Sequence, residues 1–222
     1  MSGTQGWTAA IVTPILSPMS SNTLIRRVLK PVVWGLSLAP ALWLAWLAWQ
    51  AVTVNPDALG ANPVEYLNRY LGDWALRFLL VALAITPLRI LTGWTQFTRF
   101  RRLIGLFAFF YVVLHLASYI GIDQFFDWLA IWKDIVKRTY ITVGMAAFVL
   151  LTALAATSTK GMIKRLGGKR WNWLHKTVYA AGILGCIHFF MMRKGLQLEP
   201  IIYGGILLSL FAVRLLGKLR RG

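Results

Sequence analysis

Six apolar stretches dominate the chain, at residues 31–52, 74–90, 103–122, 140–157, 173–192 and 200–216. Each lies near the roughly 20 residues that a helix needs to cross bilayer hydrocarbon. Nothing between them is long enough to build a separate soluble core. Only 14% of the residues are charged and the mean hydropathy is +0.62, whereas an ordinary soluble domain carries about a quarter charged residues. In lipid, a chain must satisfy its own backbone polar groups, which leaves helices or closed barrels. Runs of this length select helices. The expected fold is therefore an all-α membrane protein, a six-transmembrane-helix bundle over residues 23–222. Pro40 and Pro87 fall inside or near the ends of runs, where neighbouring helices can satisfy the freed carbonyls.

The charges orient the bundle. If both termini lie on one side, that side holds Arg26, Arg27 and Lys30, then Arg89, Arg99, Arg101 and Arg102 in the second connector. It also holds all the basic residues between 160 and 176 and those from 214 onward, and no acid at all. The opposite side carries Arg69, Arg77, Lys133, Lys137, Arg138, Arg193 and Lys194 together with every Asp and Glu of the chain. Lys and Arg concentrate in cytoplasmic connectors, so both termini are expected in the cytoplasm. The net charge of +17 then reads as a topology signal and not as a nucleic-acid surface, because the basic residues interrupt apolar runs. Residues 1–22 lack Lys and Arg and are rich in Ser, Thr and Pro. They do not form the basic and apolar regions of a secretory signal; a disordered cytoplasmic tail is expected, with Met19 as an alternative start.

Histidines inside such runs are the chemical clue, since an ionisable side chain in hydrocarbon is a functional hypothesis by default. The stretch RRLIGLFAFFYVVLHLASY carries His115, and KTVYAAGILGCIHFFMM carries His188. In the expected topology both helices run outward. His115 lies about seven residues from the end of its run and His188 about four, so at 1.5 Å per residue their depths differ by a few ångström. Two imidazoles at equal depth on neighbouring helices can supply both axial ligands of one haem. Ala108, Ala181 and Gly185 precede them at spacings that leave room for a flat ring, although small residues also serve close helix packing. His175 sits thirteen positions before His188, about 20 Å lower and about 140° around an ideal helix. It is a candidate for a second, inner site or a snorkelling interfacial residue. The single cysteine, Cys186, excludes covalent haem attachment through a C-x-x-C-H motif and reads as packing.

The segments NPVEYLNRYLGDWALRFLLVALAITPLR, RRLIGLFAFFYVVLHLASY, KRTYITVGMAA and WNWLHKTVY, in that order, resemble the haem-binding membrane subunits of bacterial protein-methionine-sulfoxide reductase systems. These subunits form a branch of the ferric-reductase-like transmembrane family. The resemblance covers roughly residues 24–217. It implies haem b, one or two per chain, with His115 and His188 as the outer axial pair and His175 as an inner histidine. The fourth position of the family pattern falls near Arg101, and arginine is a poor iron ligand because it stays protonated. Arg101 and Arg102 then suit haem propionates or the phosphate of FMN, another cofactor the resemblance suggests, or serve as positive-inside anchors. Further implications are a quinol or a cytoplasmic flavin reductase as electron donor, and a periplasmic molybdenum-cofactor reductase, MsrP, as partner in a heterodimer. The setting is the bacterial inner membrane, with catalysis on oxidised methionine left to the partner. No G-x-G-x-x-G or βαβ pattern occurs, so a self-sufficient NADPH oxidase is disfavoured. Two alternatives stay open: a transmembrane ferric or oxygen reductase fed by a flavin reductase, and a small transporter without haem.

Overall fold

The computed structural model describes residues 21–193 and 197–220. Most of the N-terminal tail read from the sequence, Met19 included, lies outside the described residues, as do Lys194 and Arg221. Every regular element among the described residues is helical. A turn at Ser21–Leu24 and a π-helical segment at Ile25–Leu29 lead into α1 (Lys30–Thr53). The long elements that follow are α2 (Pro63–Thr92) and α3 (Arg101–Ser118), the latter extended by a π-helical segment at Tyr119–Asp123. Next come α4 (Trp128–Lys137), α5 (Thr139–Ala156), α6 (Lys160–Leu166) and α7 (Gly168–His175). The chain closes with α8 (Val178–Met192) and α9 (Leu198–Leu219). Of the described residues, those up to Leu36 and those from Ser37 onward form separate compact units, and the packing and sites below belong to the second.

Among the described residues, five helical stretches are long and apolar enough to cross a membrane: Ile25–Thr53, Pro63–Thr92, Arg101–Asp123, Thr139–Ala156 and Leu198–Leu219. The run at 173–192 departs from the uniform helix expected of it. It breaks at Lys176–Thr177, so His175 ends α7 and His188 lies in the separate α8 of 15 residues. The turn at Lys176–Thr177 thus separates the two histidines into different helices. The connector between the third and fourth runs holds a helix, α4, that the apolar runs did not reveal.

Local chemistry explains the boundaries. Asn62 caps α2 by accepting from the Glu65 N–H at 3.2 Å and returning a bond from its Nδ2 to Glu65 Oε2 at 3.0 Å, a reciprocal cap that satisfies otherwise orphaned groups. Pro63 occupies the first turn, where its missing N–H costs nothing. The helix ends on Gly93 at φ 74°, whose N–H returns to the Arg89 carbonyl, the left-handed stop that glycine favours. In α1, the Tyr111 hydroxyl is inserted where an intrahelical bond would be. It accepts from Ala41 N at 3.1 Å and donates to Ser37 O at 2.8 Å, while Tyr70 donates to Pro40 O at 3.1 Å. Proline removes a ladder bond, and these two phenols satisfy the backbone around it.

Lipid tails are as apolar as leucine, so helices in a membrane associate through close packing and hydrogen bonds. One cluster joins Leu76, Leu79 and Leu83 of α2 with Ala108 of α3, Leu151 and Leu154 of α5, Ala181 and Phe189 of α8 and Leu207 of α9. A second gathers Leu44, Leu71, Ala75, Phe107 and Tyr111. Tyr111 and Ala108 are fully buried. Ala108 and Ala181 are therefore consumed by helix packing. Cys186 packs against the first cluster, in line with the packing role read for it.

Candidate cofactor-binding site

His115 of α3 and His188 of α8 come together. Their ring centres are 6.3 Å apart with planes crossed at 71°. Each ring is fixed through the same nitrogen. His115 Nδ1 lies 2.9 Å from the Asn68 carbonyl of α2, and His188 Nδ1 lies 2.7 Å from the Tyr140 carbonyl of α5. A carbonyl only accepts, so each Nδ1 carries the proton and each Nε2 keeps its lone pair for a metal. Such an anchoring bond is what orients metal-ligating histidines generally.

Two glycines make the space. A Cβ on Gly72 would stand 3.3 Å from His115 Cε1, and one on Gly144 would stand 2.9 Å from His188 Cε1 and Nδ1. Each ring thus packs closely against bare backbone, His115 on α2 and His188 on α5. The Asn68 side chain also takes a hydrogen bond from Ser118 Oγ at 2.5 Å, tying the α2 backbone to the helix that carries His115.

The pair can be tested against haem by its dimensions. A metal–imidazole nitrogen bond is about 2 Å, and the ring centre lies roughly 1.1 Å beyond, so two rings on one iron stand about 6.2 Å apart. The observed separation matches. Among the described residues no group of three or more His, Cys, Asp or Glu side chains is placed to hold an ion. A two-imidazole site suits an iron whose other four ligands come from a porphyrin.

His175 occupies a different place. It stacks on Trp171 at 3.9 Å between ring centres, and its Nε2 lies 3.3 Å from Thr157 Oγ1. It lines a cavity of about 620 Å³ together with Arg89, Arg99, Arg101 and Arg102, walled by Leu79, Leu83, Leu106, Leu151, Leu154 and Val178. Among the described residues, no carboxylate lines that cavity. Arg102 donates to the Ser158 carbonyl at 3.4 Å. The structure therefore brings His175, Arg101 and Arg102 to one chamber and keeps them apart from the His115–His188 pair. An apolar chamber rimmed with arginines and one imidazole suits a flat ligand with anionic substituents.

Several residues escaped the sequence reading. The carbonyls of Asn68 and Tyr140 belong to the backbone and leave no trace in residue identity. Gly72 and Gly144 are two among 19 glycines, and only helix register singles them out. A half-buried network, in which Arg77 Nε donates to Tyr203 Oη at 2.7 Å and Arg193 lies 3.7 Å from Asp73, joins residues far apart in the chain.

Residues 71–186 match the family model described as ferric reductase like transmembrane component. A protein of Rhodospirillum rubrum, curated as protein-methionine-sulfoxide reductase heme-binding subunit MsrQ, is 60% identical across 79% of this chain and 84% of its own length. Proteins with the same curated name from Herminiimonas arsenicoxydans and Caulobacter vibrioides are 54% and 48% identical, over 71% and 82% of this chain and 73% and 84% of their own lengths.

Proposed function

The chain belongs to the ferric-reductase-like transmembrane family and, within it, to the MsrQ subunits, and from that premise we propose that it is the haem b electron-transfer subunit of a protein-methionine-sulfoxide reductase system. It passes electrons from the quinone pool of the bacterial inner membrane to a periplasmic molybdenum-cofactor partner, MsrP, which repairs oxidised periplasmic proteins. The chain crosses the membrane six times, α7 and α8 together making the fifth crossing, with both termini in the cytoplasm. The observation that carries the reading is the 6.3 Å imidazole pair with both Nδ1 atoms held on carbonyls.

His115 and His188 would hold the haem iron through their Nε2 atoms. A haem gripped by two imidazoles supplies one-electron transfer without an open position for oxygen. The chain's own residues do the rest. Asn68 and Tyr140 aim the rings, Gly72 and Gly144 let them lie against the helices, and the leucine cluster keeps water away and tunes the potential. Arg101, Arg102 and His175 form the inner site, where the guanidinium groups hold the carboxylates of a second haem or the phosphate of FMN. That chamber lies at the expected cytoplasmic end, where electrons enter.

Pyridine-haem stoichiometry and a redox titration of the purified protein test this. His115→Ala and His188→Ala are each expected to abolish the low-spin b-type bands. Full haem in both variants would reject the assignment, and a colourless wild-type protein would favour a transporter.

A further inference from the structure

We propose that α4 is an interfacial helix that docks onto the phospholipid headgroup layer of the membrane and from there braces α3, which carries His115, and α5, whose Tyr140 carbonyl holds His188. The ten residues of α4 are too few to cross, yet they join two spanning segments directly, so α4 has to lie where those spans leave the bilayer. At about 100° per residue, its side chains sort into three faces. Ile131 and Ile135 point to the protein, and Ile131 is buried. Trp128, Leu129, Trp132 and Val136 fall on one arc about 100° wide, and each is 64–65% exposed. Lys133 and Lys137 occupy the next arc and are exposed.

A helix packing only against its own protein needs one apolar face; this one has two, set roughly a right angle apart. The second is rich in tryptophan, the residue enriched where hydrocarbon meets headgroup, and lysines border it, matching anionic lipid phosphates. The entry to α4 agrees. Phe125 and Phe126 hold φ of 46° and 62°, a left-handed conformation that bulky residues seldom adopt. It leaves their rings 81% and 60% exposed, beside the tryptophan stripe.

The brace is explicit. Tyr119, four residues after His115, donates to Asp134 Oδ2 at 3.1 Å. Thr142 of α5 donates to Ile135 O at 2.5 Å, two residues from the Tyr140 carbonyl that holds His188. One short helix thus ties the helix that carries His115 to the helix that supports His188. That it lies on the outer leaflet rests on the topology proposed above; the docking itself does not.

Nitroxide labels in a Cys186→Ser background test the docking, with the protein in nanodiscs of phosphatidylethanolamine and phosphatidylglycerol. Labels at Leu129→Cys and Trp132→Cys are expected to relax several-fold more with oxygen than with a water-soluble nickel chelate, and labels at Lys133→Cys and Lys137→Cys to show the reverse. Val136→Cys replaces either apolar position if a variant fails to elute as a monodisperse helical protein. Nickel-accessible labels on the apolar arc would overturn the proposal. So would shielding that arises only when the periplasmic reductase is added, which would make the stripe a protein-docking surface. The depth readout needs no haem, so a colourless protein would sink the haem reading and leave this one standing.

Discussion

Replacing Gly144 with alanine puts a methyl group 2.9 Å from both Cε1 and Nδ1 of His188 and 3.4 Å from its Cγ. Carbon atoms rest comfortably at about 3.5–4.0 Å, so the shortfall is roughly 0.6 Å or more. The ring cannot yield freely, because its Nδ1 is held 2.7 Å from the Tyr140 carbonyl. A metal–ligand distance tolerates only about 0.2 Å of error, so a ring pushed that far lengthens its bond to iron or gives up its anchor. Overpacking of this kind costs about 1–3 kcal/mol. At about 1.4 kcal/mol per decade, that is roughly 5- to 140-fold in haem affinity. The assay is haem retention through detergent washing, followed by the low-spin absorption bands and the midpoint potential of what remains. Gly204→Ala is the control, since nothing lies within 4 Å of its new Cβ. If Gly144→Ala keeps full low-spin haem at the wild-type potential, His188 is not an axial ligand positioned as argued.

Gly72→Ala should show the same defect more weakly, because its nearest contact, 3.3 Å to His115 Cε1, asks the ring to move only a few tenths of an ångström. Tyr111→Phe removes the hydroxyl shared by Ala41 and Ser37; a loss of about 1–3 kcal/mol should lower the thermal midpoint while leaving the haem spectrum unchanged. His175→Ala should reduce total haem or slow reduction yet preserve the bis-imidazole bands, which a pyridine-haem count and a spectrum separate. Arg101→Ala should weaken ligand retention in the inner chamber about tenfold or more, the scale of one charge-assisted hydrogen bond; equal reduction rates would leave Arg101 only its role as a topological anchor.

The sequence by itself determined the class of solvent, the helical architecture and the candidate ligands. Those follow from local rules: how many apolar residues span hydrocarbon, which side collects Lys and Arg, and how rarely histidine enters lipid without a purpose. His115 and His188 stood out because equal depth is a matter of counting residues at a fixed rise. What counting could not supply is rotation and distance between helices. Whether α3 and α8 turn their imidazoles toward each other depends on packing among apolar side chains scattered over five helices. The small residues show the difference clearly. Ala108 and Ala181 had suitable spacing and proved to be buried packing, whereas Gly72 and Gly144, on helices that carry no histidine, are the ones that face the rings. The break at Lys176–Thr177 and the brace at α4 likewise had no periodic signature. Which carbonyl accepts from which Nδ1 is set only when four helices settle against one another, because a backbone acceptor has no residue identity to read.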